Sequence, residues 1–342
     1  MSRIDHVRAR VAARLLERLG KRALSSPPEE RLPDGLHVFV SGAGSPMPDP
    51  LRAGPGVGVL AGDRAFVFDT GAGSISNLQR MRFPIALVDA VVITHLHSDH
   101  IDGLGEMLLQ SWIRGSRTTP TPVYGPTGIG QVVEGFNLAY QVDSVYRFDH
   151  HGDDIADLAG FGGEAHQIEL EGDSAVLIEE GDLRVTVFAV HHHPVDPAFG
   201  FRIDYRGRSV TISGDTVYHP GLVTAAEGTD LLLHDALSVE MAEILRRVNE
   251  QAGLTRLSQI LRDIQDYHAT PVDAARAARD AHVRSLVLTH IAPALPSRVL
   301  HPLFLKGTAN VYDGPITIAR DGMLFSLAAG TDTIETNDAF RI

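Results

Sequence analysis

The segment Thr94-His95-Leu96-His97-Ser98-Asp99-His100 puts four groups able to ligate a metal within six residues. His95 and His97 are two apart, and on an extended chain such side chains point the same way, so both can reach one ion. His100 breaks that parity. The chain must turn near Ser98-Asp99, which presents Asp99 and His100 elsewhere, and two neighbouring ions fit this better than one. Imidazole and carboxylate donors suit zinc, with manganese or iron also served by them. The chain contains no cysteine, which excludes thiolate-held zinc, iron–sulfur clusters, disulfides and a thiol nucleophile.

Further donors lie far along the sequence. Asp215 in Ser-Gly-Asp-Thr follows the apolar run RSVTIS, and a carboxylate can bridge two cations with its two oxygens. His290 ends SLVLTH as His95 ends AVVITH, and His191, His192 and His193 end VTVFAV. Taken singly, Gly-Asp-Thr reads equally as a turn or helix cap, and a lone strand-end histidine as a structural one. Together they gain weight, because all fall at the carboxyl ends of strand-like runs, where an α/β sheet collects its site.

The elements that must position these groups can be read from pattern. The N-terminal segment has Ile4, Val7, Val11, Leu15 and Leu19 at helical spacing, which predicts a helix docked on the main fold or on a second subunit, so a homodimer is one expected arrangement. Ser25 to Pro33 is proline-rich and polar, a linker. Strands are expected at Leu36–Val40, as a hairpin through VGVL and AFVF, at ALVDAVVITH, in two hairpins between Asp173 and Thr216, at TDLLLHDAL and at SLVLTHIAP. Helices are expected after Ile101, in the stretch before Asp149, between Ser238 and Asp266, and from Pro271. Asp149 to Asp154 reads as an exposed loop. The domain reading is residues 1–34 as helix and linker and residues 35–342 as one α/β domain.

With 342 residues and 44% hydrophobic content the chain can bury a large core. Its net charge of −13, with Lys21 and Lys306 its only lysines, argues against broad nucleic-acid binding. No run is long and apolar enough for a membrane span, and no apolar signal core is visible, so the expected address is the cytoplasm.

The series His95-x-His97-x-Asp99-His100, a later histidine, Gly-Asp-Thr and Leu-Thr-His resembles the metallo-β-lactamase fold superfamily, over about residues 36–328. The resemblance implies a four-layer αββα sandwich, with the N-terminal helix as an addition, and two metals, usually zinc, between the sheets. By motif, His95, His97 and His192 would hold the first metal and Asp99, His100 and His290 the second, with Asp215 bridging. His192 is chosen because His-His-His-Pro-Val-Asp-Pro-Ala-Phe-Gly is similar to a motif of the arylsulfatase and ribonuclease Z branch; His191 and His193 stay open. Asp69 of Phe-Asp-Thr-Gly would anchor a ligand, and His234 would support the site from a strand end.

The same branch is suggested by Tyr267-His268-Ala269-Thr270, similar to its His-x-Thr motif, which would aim His268 at the metals to stabilise an oxyanion or protonate a leaving oxygen. The implied enzyme is a dinuclear metal hydrolase of phosphoric or sulfuric esters of modest size. A metal-bridging hydroxide would attack, with Asp99 both ligating and orienting it. Ribonuclease Z-type transfer-RNA processing is the alternative, weakened because such enzymes carry a long basic arm where this chain has only Arg206-Gly207. A non-catalytic scaffold of the same fold is a further alternative. The pocket wall is expected from Trp112, Tyr124 and Tyr218-His219.

Overall fold

The computed structural model describes residues 3–24 and 32–340. Strands β1 (Gly35–Gly42), β2 (Gly56–Ala61), β3 (Arg64–Phe68), β4 (Val88–Val92), β5 (Thr121–Gly125), β6 (Gly163–Gln167), β14 (Met323–Ala328) and β15 (Glu335–Asp338) form an eight-stranded sheet in the order β15-β14-β1-β2-β3-β4-β5-β6. The other sheet has seven strands, β7 (Ser174–Glu180), β8 (Leu183–His192), β9 (Val195–Tyr205), β10 (Arg208–Ile212), β11 (Leu231–Leu237), β12 (Ser285–Ala292) and β13 (Ile316–Ile318). Their spatial order is β13-β12-β11-β10-β9-β8-β7. The helices used below are α1 (Arg3–Leu24), α2 (Ser74–Arg80), α3 (Ser98–Ile101), α4 (Leu104–Gly115), α5 (Ile129–His151), α6 (Pro220–Ala225), α7 (Val239–Gln251), α8 (Thr255–Asp263) and α9 (Pro271–Asp280).

Side-chain alternation sorts these elements into layers. On β1 and β3, Val38, Val40, Phe66 and Phe68 point between the sheets, where they meet Val187, Phe201, Ile203, Leu231, Leu233 and Val287 of the second sheet. The intervening Phe39 and Val67 face outward onto Ile75, Leu78, Leu104 and Met107 of α2 and α4. On the opposite side Leu232, Leu286 and Leu288 pack on Ala274, Ala275 and Ala278 of α9. The small alanines let that helix lie close to the sheet. It starts as its sequence predicts, with Pro271 in the first turn and a reciprocal capping box between Thr270 and Asp273. The result is the four-layer αββα sandwich.

Topology decides where the site must be. Strands β3, β4, β5 and β6 run parallel, as do β10, β11 and β12, so the carboxyl ends of each set share one edge. The loop after β1 joins that edge to the second sheet through a bridge between Gly44 and Ile291.

One expectation is corrected. Asp149 to Asp154 is not a loop: α5 continues to His151, and Asp153 and Asp154 open the short helix Asp153–Ala156. Gly152, at φ 75°, makes the break, and carboxylates in a first helical turn oppose the positive end of the helix dipole. Helix α1 forms, and among its described residues Val11, Leu15 and Leu16 are exposed rather than packed on the main fold, which leaves the second-subunit arrangement as the expectation. Arg8, Arg10, Arg14 and Arg18 interleave with these positions. The side chains of Ile4, Val7 and Leu19, and most of the linker, lie outside the described residues. Among the described residues no helix is long and apolar enough to cross a membrane.

Candidate metal centre

The turn after β4 brings its donors together as the spacing requires. His95 Nε2 and His97 Nδ1 are 3.0 Å apart, and His192 Nε2, arriving from the end of β8, is 3.3 Å from the same His97 atom. Three nitrogens bound tetrahedrally to one zinc would be separated by about 3.4 Å. Helix α3 then turns the chain, so that Asp99 and His100 face a second point with His290 of β12. There His290 Nε2 lies 3.3 Å and His100 Nε2 3.6 Å from Asp99 Oδ2.

Asp215 sits between the two groups. Its Oδ2 is 3.8 and 3.9 Å from the Nε2 atoms of His95 and His192, and 3.3 and 3.2 Å from those of His100 and His290. One carboxylate oxygen therefore faces four imidazole nitrogens contributed by both sheets. The sets His95/His97/His192, His95/His100/Asp215 and Asp99/His100/His290 each place their donor atoms within 4.8 Å of one another. Of the three consecutive histidines, His192 is the one turned inward, while His191 stacks on His219 and His193 is exposed.

Backbone irregularity and buried carboxylates aim these side chains. His290 is the residue skipped where β12 slips against β11, and it takes φ 45°, a conformation a non-glycine residue adopts at a cost. Asp69, just past β3, takes φ 55° and accepts from the Thr94 amide (2.8 Å), the Thr94 hydroxyl and His100 Nδ1 (2.8 Å). With Nδ1–H committed to Asp69, the His100 Nε2 lone pair is turned toward the centre. His192 is fixed likewise, Nδ1 donating to the Tyr267 carbonyl at 2.9 Å. Asp69→Ala is expected to weaken divalent-metal affinity by about 10- to 100-fold while leaving the fold intact, measured by competition with a chelating indicator.

The donors have the chemistry of metal ligands. Burial pushes the pKa values of His95, His97 and His192 below the ordinary imidazole value, that of His95 well below, which keeps them neutral with a free lone pair. At His100 burial acts in the same direction but is outweighed by Asp215 and Asp69, so its pKa rises. His100 Nε2 is nonetheless buried without a hydrogen-bond partner, an atom expected to have one. At His290, too, burial lowers the pKa but Asp215 and the bond to Asp99 outweigh it. An orphaned buried nitrogen beside two carboxylates, with His95, His97 and His192 held neutral next to it, fits a pair of divalent cations.

His268 faces the same centre from the loop before α9, its donor atom within 4.8 Å of those of His192 and Asp215. Its Nδ1 is 3.0 Å from Asp235 Oδ2, and its ring stacks on His290. Asp235 is fully buried. Burial alone would raise its pKa, but hydrogen bonds from His234 and His268 hold it below the usual carboxylate value. His234 braces Asp235 from beside it, with Nδ1 3.0 Å from Oδ1. Of this pair, His234 is expected from the sequence and Asp235 is not. Parity could have found it, since Leu231 and Leu233 face the space between the sheets and Asp235 is next in that series.

Above these groups opens a cavity of about 600 Å³, lined by His97, Asp99, Asp215, His268 and His290 together with the Ser45–Pro48 loop and residues of α7, α8 and Tyr267. The expected aromatic wall is corrected. Trp112 is wholly buried, donating to the Asp157 carbonyl, and Tyr124 stacks on His166. Tyr218 bonds Asp280 and His219 stacks on His191. None of the four lines this cavity. Trp112 repeats the inward positions Leu104 and Leu108 on α4, so helix periodicity sends it to the core.

The fold and this constellation define a class, and comparison agrees: the chain belongs to the β-lactamase superfamily, whose domain matches residues 64–291. The chain is 37% identical over 263 residues to Ribonuclease Z of Mycobacterium bovis (strain BCG / Pasteur 1173P2), covering 76% of this chain and 87% of that protein. Among solved structures it resembles the metallo-β-lactamase fold protein YhfI from Bacillus subtilis, at TM-score 0.62 and 20% identity over 85% of this chain and 99% of that one. Human tRNase Z, short form, superposes at TM-score 0.58 with 22% identity, over 86% and 100% of the two chains.

Proposed function

We propose that this protein is a phosphodiesterase working with two divalent ions, zinc foremost, held by His95, His97 and His192 on one side and Asp99, His100 and His290 on the other, with Asp215 between. The observation that carries this reading is the position of the Asp215 carboxylate oxygen among four imidazole nitrogens. Bound ions of this kind supply a nucleophile ionised near neutral pH and a counter-charge for the non-bridging oxygens of the ester. The protein's own groups do the rest. Asp99 lies at the cavity floor, where a carboxylate orients an attacking water. His268 presents its ring to the leaving side, and Asp235 behind it stabilises the protonated imidazole that would hand a proton to the departing oxygen.

Phosphodiesters are favoured over sulfate esters because the 37%-identical relative bears the name of a ribonuclease, and a ribonuclease breaks phosphodiester bonds. That name also keeps RNA processing as a second reading. Against it, β9 and β10 are joined by the tight turn Arg206-Gly207, leaving no arm there. The test is a panel of bis(4-nitrophenyl) phosphate, 4-nitrophenyl sulfate and a precursor transfer RNA, each with the metal-loaded protein. Chelator-sensitive turnover of the phosphodiester is expected to exceed sulfate hydrolysis by at least tenfold. Equal or faster sulfate turnover overturns the phosphodiesterase reading, and cleavage of the RNA alone replaces the small ester with the second one.

A further inference from the structure

The cavity above the histidine–aspartate floor is built for only a little charge. Its floor is polar, but its walls are Met47 of the loop after β1 and the face of α8 that continues into Leu257, Ile260, Leu261, Ile264 and Tyr267. Leu257, Leu261 and Ile264 fall at helical spacings of four and three, with Ile260 beside them, so they form one stripe. The inner part of that stripe packs on Leu237, Ala242 and Ala292. The outer part does not: Leu257 is 50% and Ile260 52% exposed at the cavity mouth. A helix that served only to cover the core would bury the whole stripe. Here half of it stays open over the reacting centre. No lysine or arginine lines the cavity among the described residues, so the phosphates flanking a scissile bond in a polynucleotide would meet no cation there.

Resting on the phosphodiesterase reading, we infer that the substrate is amphiphilic: a phosphodiester with one anionic phosphorus centre at the floor and an alkyl or aryl arm seated against α8 and Met47. The volume of the cavity lies in the range of small-molecule sites, and its mostly apolar walls with few polar groups suit such a ligand.

The test measures binding apart from turnover. Methyl-, butyl- and hexylphosphonate are titrated calorimetrically into the metal-loaded protein, and methyl and hexyl 4-nitrophenyl phosphate are assayed in parallel. A fully buried methylene is worth roughly fourfold in affinity, and a half-open wall less. The dissociation constant is therefore expected to fall about 30-fold or more from methyl to hexyl, with kcat/KM following. The double substitution Leu257→Ser/Ile260→Ser is expected to remove most of that gain. The wild-type series decides by itself, so a poorly folded variant does not blunt the test. A flat series overturns the apolar seat even if both esters are hydrolysed. A flat series in which the double variant also dissociates a dimer overturns it too, and gives the exposed stripe to a second copy of the chain. Tightening with chain length but no hydrolysis of either ester upholds the seat while rejecting the phosphodiesterase reading.

Discussion

Asp215→Ala is expected to abolish turnover and strip metal together. The carboxylate is the one group shared by both sets of imidazoles, lying within 3.9 Å of four ring nitrogens. Its removal takes away the carboxylate that faces both sets and leaves Asp99, beside His100 and His290, to offset the charge of any ions the donors would hold. Losing several kcal/mol of charge stabilisation corresponds to a fall in kcat/KM of about 10³-fold or more. The metal content should drop from two ions per chain to one or fewer by elemental analysis. The sandwich core should survive, because its apolar contacts lie elsewhere between the sheets; the thermal midpoint and far-ultraviolet dichroism check this. Full metal content with full activity in the variant rules out the bridging role.

The second large effect separates binding from chemistry. His268→Ala is expected to keep both ions but to lower kcat for a phosphodiester with an alkyl leaving group by about 10²- to 10⁴-fold, the range for loss of a positioned general acid. With 4-nitrophenolate, which leaves without needing a proton, the loss should be under about tenfold by the same argument. Asp235 acts through His268, bonded to its Nδ1 at 3.0 Å, so Asp235→Asn should show the same dependence on leaving group. The double variant should be no slower than His268→Ala alone, since residues acting as a unit are not additive. A uniform loss across leaving groups would mean that His268 binds the ester rather than protonating it.

How far the sequence carried these expectations depended on how local each cause is. His95, His97, Asp99 and His100 were legible because two-residue parity and one turn place all four. Asp215 and His290 were legible as strand-end donors, and His192 through the residues that follow it. The left-handed turn at His290 was not, because it arises from a slip between β11 and β12 that only pairing reveals. The cavity wall escaped for a related reason. The apolar positions of α7 and α8 look in sequence like any amphipathic helix, and which part stays open depends on how the two helices sit over β11 and β12. Asp321 shows the same limit. It accepts from the amides of Ala43 and Ala53 and from Asn77, holding the loop that carries Ser45 to Pro48 over the site. Nothing near residue 321 in the sequence announces that contact.

The seven donors provide for two ions per chain, and stoichiometry tests this directly. Metal-free protein titrated with Zn²⁺, followed by calorimetry and checked by elemental analysis after dialysis, should take up two ions per chain, the second lost on Asp99→Ala or His290→Ala. Uptake of no more than one weakly held ion, unchanged by substitutions at Asp99, Asp215 and His290, would contradict it.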